Sequence, residues 1–235
     1  MIEKHEIMRG RISSRGGSVL LVAAFATLIA GCSTSSLLDS ELPVPTNYII
    51  APLPPAAAPT RSAASQVDIA IGRPDVAPGL DTSRIAVLRG RQLDYFRSVQ
   101  WGGNTLEVVQ ALLVSSLQDQ QLFRSVTSEQ ARVAGAYMLD SEVRDFQAEY
   151  AGSTEAPTVR VTIVGRLIRI ADRALVDTVP ATATRVATDN RMTEIAAAFE
   201  AAAQEVAQKI ARDAAAAVSR DSERILAIPT PTTPP

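Results

Sequence analysis

The sequence of 235 residues holds one cysteine, Cys32, one histidine, His5, and two lysines, Lys4 and Lys209. His5 falls in the leader described below, so the mature chain is expected to have no imidazole. That removes serine-histidine triads, histidine acid/base catalysis and zinc sites of the usual His/Cys type. A lone cysteine cannot close an intrachain disulfide. The phosphate-cradling pattern G-x-x-x-x-G-K-[ST] is absent, and Lys209 has no glycine near it, which excludes an ATPase of that kind. No apolar run approaches the roughly 20 residues a helix needs to cross a bilayer. The longest spans Val19 to Ile29. Aromatic residues make up 4% of the chain, and Trp101 is the one tryptophan.

The N-terminus has the order of a secretory signal. Lys4, Arg9, Arg11 and Arg15 precede the apolar run, and the small residues Ala30 and Gly31 precede Cys32. Leu28-Ile29-Ala30-Gly31-Cys32 resembles the lipobox cut by lipoprotein signal peptidase, so residues 1–31 are expected to be a lipoprotein signal peptide and Cys32 the site of lipid attachment. In an oxidising periplasm an unpartnered thiol is a liability, and acylation with palmitate-like chains is its simplest use. Each buried methylene contributes about 0.8 kcal/mol, so two or three chains anchor the protein durably. Ser33 in place of Asp after the cysteine resembles the sorting signal for the outer rather than the inner membrane. Removing four basic and two acidic residues with the leader takes 23 and 25 to 19 and 23, a net charge near −4. That argues against a nucleic-acid partner.

Residues 32–46 read as a tether and 47–219 as one domain, with a Pro/Ala linker at 52–65 and a disordered Pro/Thr tail at 220–235. Tyr48-Ile49-Ile50 predicts a first short strand, and the alternation of Val67, Ile69 and Ile71 a second. Ile85–Leu88 and Leu93–Phe96 predict a hairpin turning at Gly90. Asn104 with Glu107 predicts a capping-box helix start, after which Leu106, Val109, Leu113 and Leu117 share a face. Strands are expected at 123–126, 136–150, 158–170 and 175–186, joined by connections too short for parallel crossovers. A final alanine-rich helix is predicted from about Asn190 to Val218, with Met192, Ile195, Phe199, Val206 and Ile210 as its apolar stripe. The expectation is an α+β fold: a single domain with an antiparallel sheet and two helices packed on one face.

Carboxylates are the remaining catalytic candidates, but Asp140, Glu142, Asp145 and Glu149 read as a solvated strand surface. Asp75 and Asp81 supply too few oxygens for a calcium loop. Gly102-Gly103 reads as a turn before a capped helix rather than a nucleotide loop. No metal, cofactor or catalytic residue is expected, and the chain reads as non-enzymatic. Trp101 reads as core covering the helix start, with partner contact as the second reading.

The motif order resembles the ABC-type transport auxiliary lipoprotein family. It comprises the lipobox, Tyr48-Ile49-Ile50-Ala51-Pro52, Ile71-Gly72-Arg73, the Arg84–Val87 strand, the Leu93-Asp94-Tyr95 hairpin, Trp101 before the first long helix, and an alanine-rich last helix. Gly102-Gly103-Asn104 after Trp101 and the Pro/Thr tail depart from the pattern. The resemblance implies a periplasmic, non-catalytic accessory subunit of a system that moves lipid or other hydrophobic compounds between membranes. Its implied partners are a mammalian-cell-entry (MCE)-type substrate-binding protein with an ABC permease and ATPase, and the membrane itself through the anchor. Copies of the chain could also associate with one another. Tyr48, Arg73 and Trp101 are the candidate partner-contact residues, with Gly72 as a pattern position. The alternative is a structural or assembly lipoprotein of another outer-membrane complex.

Overall fold

The computed structural model describes residues 44–54, 66–131, 135–152 and 155–227. The expected signal peptide, Cys32, the tether up to residue 43 and the body of the expected 52–65 linker lie outside them. The elements in order are β1 (Thr46–Tyr48), β2 (Asp68–Ile71), β3 (Asp75–Val76), β4 (Arg84–Arg89), β5 (Gln92–Trp101), α1 (Thr105–Asp119), β6 (Ser125–Ser128), β7 (Tyr137–Tyr150), β8 (Thr158–Arg169), β9 (Ala174–Val186) and α2 (Met192–Leu226).

Fourteen-residue β7 is the axis of the sheet. Along one edge it pairs antiparallel with β8, which pairs antiparallel with β9. Along the other edge three short strands lie end to end: β2 beside Tyr137–Leu139, β3 beside Glu142–Val143 and β4 beside Gln147–Tyr150, all parallel to β7. Beyond β2 lies β6, and beyond β4 lie β5 and then β1. The α+β class, the single sheet and the two helices are as expected; the sheet, however, is mixed rather than antiparallel. Connection length correctly identifies the β7–β8–β9 meander, because those strands are neighbours in sequence. It does not reach β2, which meets β7 only after the β4–β5 hairpin, α1 and β6 have carried the chain back to its starting side.

The helix starts and buried faces follow local sequence. The Glu107 carboxylate accepts the Asn104 backbone N–H at 3.0 Å, satisfying a donor that the first helical turn leaves free. Leu106, Val109, Leu113 and Leu117 are all buried. On α2, Ile195, Phe199, Ala202, Val206 and Ile210 are buried at helical spacing, and the helix packs on β8, β9 and α1. It continues eight residues past Val218, to Leu226, so residues 220–226 of the expected tail are helical, and residues 228–235 lie outside the described residues. The reason is Asp221: it is 1% exposed, and its carboxylate binds Tyr137, Arg169 and Arg224, which holds the last turns on the sheet.

Gly165 in β8 makes close packing possible. A Cβ there would sit 2.6 Å from Val179 Cγ2, 3.1 Å from Leu139 Cδ1 and 3.7 Å from Ile210 Cγ2 of the overlying helix. Gly165→Ala is therefore expected to destabilise by roughly 1–3 kcal/mol through overpacking, which urea unfolding would measure.

Asp68 ties β2 to the segment leading into β6. It accepts hydrogen bonds from Arg124 Nε at 2.9 Å and Ser125 Oγ at 2.6 Å. These bonds, Arg124 first, lower its pKa from 3.8 to about 2. A carboxylate more acidic when folded than unfolded contributes stability that is complete above about pH 4 and is lost as the pH falls toward 2. Unfolding followed across that acid window should show a shallower loss in Asp68→Asn than in the parent, since the asparagine has no proton to take up.

Candidate functional site

Four candidate carboxylates lie on β7, and three of them are occupied. Glu142 accepts from Arg144 at 3.0 Å and Arg166 at 2.5 Å, which lowers its pKa, the Arg144 bond contributing most. Glu149 accepts from Arg160 at 2.8 Å, and Gln147 bridges Glu149 and Asp145 at 3.1 Å each. Asp140 is the exception. Its pKa is raised, first by burial and then by the charges of Glu129 and Asp75. Its carboxylate lies over Gly72, where a Cβ would collide with Oδ1. The Ile71-Gly72-Arg73 motif thus has a local reason: Gly72 leaves room for Asp140 while its N–H donates to Leu139 O at 2.9 Å. No group of three or more potential metal-ligating side chains occurs among the described residues.

The candidate contact residues separate. Trp101 is 1% exposed, its ring edge-to-face with Phe146 at 5.6 Å and Phe199 at 5.1 Å. It is a core residue, and the partner-contact assignment is corrected. Trp101 closes β5 with its ring against Phe146 of β7 and Phe199 of α2, which places it in the layer between sheet and final helix. Tyr48 is half-buried against the core, its carbonyl accepting the Gly102 N–H at 2.8 Å. Arg73 is exposed, about the far end of β2, and in no ion pair among the described residues.

The surface that sequence reasoning missed begins where β1 ends. Ile49, Ile50 and Pro52 form one wall of an open groove of about 430 Å³, and Val108, Ala111 and Leu112 of α1 form the other, over a floor of Gly102 and Gly103. Ile49 is 75% exposed. The first wall is fixed from behind: the Ala51 N–H donates to Glu200 Oε2 and Gln204 Nε2 donates to Ala51 O, both at 2.9 Å, while Leu53 is buried. The one carboxylate in the lining, Glu107, is engaged with the helix start. The groove is apolar and braced on α2. Such a surface favours another apolar group over a phosphate or a sugar. The Tyr-Ile-Ile run could have pointed to it, since Tyr48 and Ile49 face opposite ways in an edge segment and only one can reach the core.

The sequence of this chain matches a family model over residues 48–211, and the chain belongs to the ABC-type transport auxiliary lipoprotein component family. Among solved structures it is similar to a Xanthomonas campestris protein of the DUF330 family, at 22% identity over 76% of this chain and 99% of that one, with a TM-score of 0.67. An uncharacterized protein aligns at 12% identity over 72% of this chain and 98% of its own, with a TM-score of 0.57. At these identities the likeness is one of fold. No functionally curated protein matches the chain in sequence. No helix among the described residues is long and apolar enough to cross a membrane.

Proposed function

We propose that this chain is held by acyl chains on Cys32 at the periplasmic face of the outer membrane and serves as a non-catalytic accessory subunit of an intermembrane transport system for lipid or another hydrophobic compound. Its partners in this reading are an MCE-type substrate-binding protein and the ABC permease and ATPase that work with it. The family assignment carries the transport role. The lipobox and the short apolar leader support the anchor. The pairing of Glu142 and Glu149 with arginines, and the lack of any mature histidine, support work done by binding rather than by chemistry.

The groove between β1 and α1 is the docking face in this reading, and its occupant is an apolar segment of the MCE-type protein. Exposed Ile49 beside braced Ala51 and Leu53 supports this: the apolar wall is preorganised, so little ordering entropy is lost when it is covered. A photo-crosslinking side chain at Ala111, in cells, should capture the MCE-type protein, and Ile49→Asp should abolish that adduct while leaving the fold intact. Capture of a β-barrel or secretin instead would assign the chain to the assembly of another outer-membrane complex. Absence of any adduct from Ala111 would remove the groove from the proposal.

A further inference from the structure

Nine arginines among the described residues lie within ion-pair distance of a carboxylate: Arg124, Arg144, Arg160, Arg166, Arg169, Arg185, Arg191, Arg220 and Arg224. Seven other described arginines are in no ion pair among the described residues, and four of the seven lie on the β4–β5 hairpin. It carries Arg84, Arg89, Arg91 and Arg97, all exposed and none of them in an ion pair among the described residues. Its only acid, Asp94, spends an oxygen on the Tyr95 backbone N–H at 2.8 Å. Two of the guanidinium groups are stacked on tyrosines: Arg84 lies 3.8 Å from the ring centroid of Tyr95 and Arg89 4.8 Å from that of Tyr150. Stacking holds the planar group by its face and leaves its edge of N–H donors open, the geometry that takes a phosphate or carboxylate in a bidentate way. Tyr95 and Phe96 are partly exposed among these arginines, and Leu93 is 37% exposed near the turn. In a chain whose expected mature net charge is near −4, the hairpin concentrates four cations without a carboxylate partner among the described residues.

The strand directions say what the hairpin faces. β1 runs parallel to β5, Thr46 beside Val99 and Tyr48 beside Trp101. β5 is antiparallel to β4 on both sides of its bulge, so its direction is maintained from Gln92 to Trp101. The N-terminal end of β1 and the turn at Gly90 therefore point to the same end of the sheet. The chain joins the domain from the end at which the turn, with Arg89 and Arg91, lies. From Thr46 back to Cys32 is 14 residues, a maximum reach of about 50 Å. Gln100 pairs with Arg84, which is six residues from Gly90 along β4, so the turn lies about 20 Å from that level. A membrane holding Cys32 is within reach of the hairpin.

We propose that the β4–β5 hairpin docks on the anionic phospholipid headgroups of the membrane that holds the lipid anchor, with Arg89 and Arg91 nearest the bilayer and Tyr95 and Phe96 at headgroup level. The inference rests on the anchor reading. It adds that the domain stands on the bilayer by its hairpin end, with an orientation set by charge, rather than swinging freely on its tether. A basic side chain near an anionic surface contributes roughly a fivefold gain in binding, and the effect decays over a Debye length of about 10 Å at 0.1 M salt.

The test uses the full chain purified from membranes, with Gln92→Cys carrying a fluorophore, on vesicles of phosphatidylcholine with and without phosphatidylglycerol and with a headgroup-attached quencher. The expected result is quenching on the anionic vesicles alone, reversed by salt. Arg91→Gln with Arg97→Gln should lower the docked-to-free ratio roughly 25-fold, fivefold for each charge. Neither arginine packs on a neighbouring ring, and the sole tryptophan reports that the variant remains folded. Equal quenching on both vesicle types, or no change in the double variant, overturns the inference. The intact mass of the same sample reads the anchor independently. An acylated protein whose hairpin stays unquenched refutes docking alone. A non-acylated product refutes the anchor, and its sedimentation with anionic vesicles then scores the hairpin by itself.

Discussion

Alanine in place of Asp221 is expected to lower the unfolding free energy by about 3–5 kcal/mol, the usual result of deleting one member of a buried ion pair and leaving the other uncompensated. The carboxylate is 1% exposed, and it accepts the Tyr137 hydroxyl at 3.0 Å and Arg169 Nη1 at 2.8 Å. Burial works to raise its pKa, but hydrogen bonds from Arg224 and Tyr137 and the charges of Arg169 and Arg224 outweigh it, so the net shift is downward. Without Asp221 the Tyr137 hydroxyl, in a side chain 4% exposed, loses its acceptor, and Arg169 keeps only Asp172. Arg224→Ala is the control. That side chain is 66% exposed, and its loss should cost no more than about 1 kcal/mol. Urea unfolding of the two variants separates a buried cluster from a surface pair. If both cost the same small amount, the last turns of α2 are not held as described. Amide exchange should then also be fast from Ser219 to Leu226, where slow exchange is expected in the parent.

Phe199→Ala should be comparably severe, about 3–5 kcal/mol, because it removes the central ring of the core and leaves a cavity. Phe199 is fully buried, at 5.1 Å and 79° from Trp101 and 5.4 Å from Phe146, so sheet, β5 end and final helix meet at one side chain. Edge-to-face aromatic pairs contribute about 0.5–1.5 kcal/mol beyond their buried area. Trp101 is the only tryptophan, so its fluorescence reads this one place. A red-shifted emission in the folded variant, together with a lower urea midpoint, is the expected signature. A midpoint within error of the parent would contradict the placement of Trp101 in the core.

Much of the fold is legible in the sequence because local rules decide it. Alternation in Val159, Val161 and Ile163, the Asn104–Glu107 pair and the Gly90 turn each concern residues a few positions apart, and those elements stand where they are expected. Pairing between Ile69 and Tyr137 is a different kind of information. Both strands read as half-buried, but nothing in either says which partner it meets or in which direction, and only the chain's return through α1 and β6 makes them parallel. The end of α2 was hidden for a related reason. Asp221 and its charged neighbours resemble a solvated tail until Tyr137 and Arg169 arrive from distant strands.

The candidate site was less legible. Trp101 and Tyr48 are aromatic residues near a loop, and sequence cannot tell an anchor for a partner from a plug for the core; packing against Phe146 and Phe199 decides it for Trp101. Ile49 was read as part of a strand, whereas it lies just past β1 and exposed at the groove. Nothing in the sequence sets the hairpin arginines apart, since what marks them is that no carboxylate pairs with them among the described residues.

Affinity purification of the full-length chain from detergent-solubilised membranes tests the account most directly. Co-recovery of an MCE-type protein together with a permease and an ATPase, on a chain whose mature N-terminus is acylated Cys32, is the predicted result. A chain recovered without any of the three, or one that begins elsewhere than at Cys32 and carries a free thiol, would contradict it.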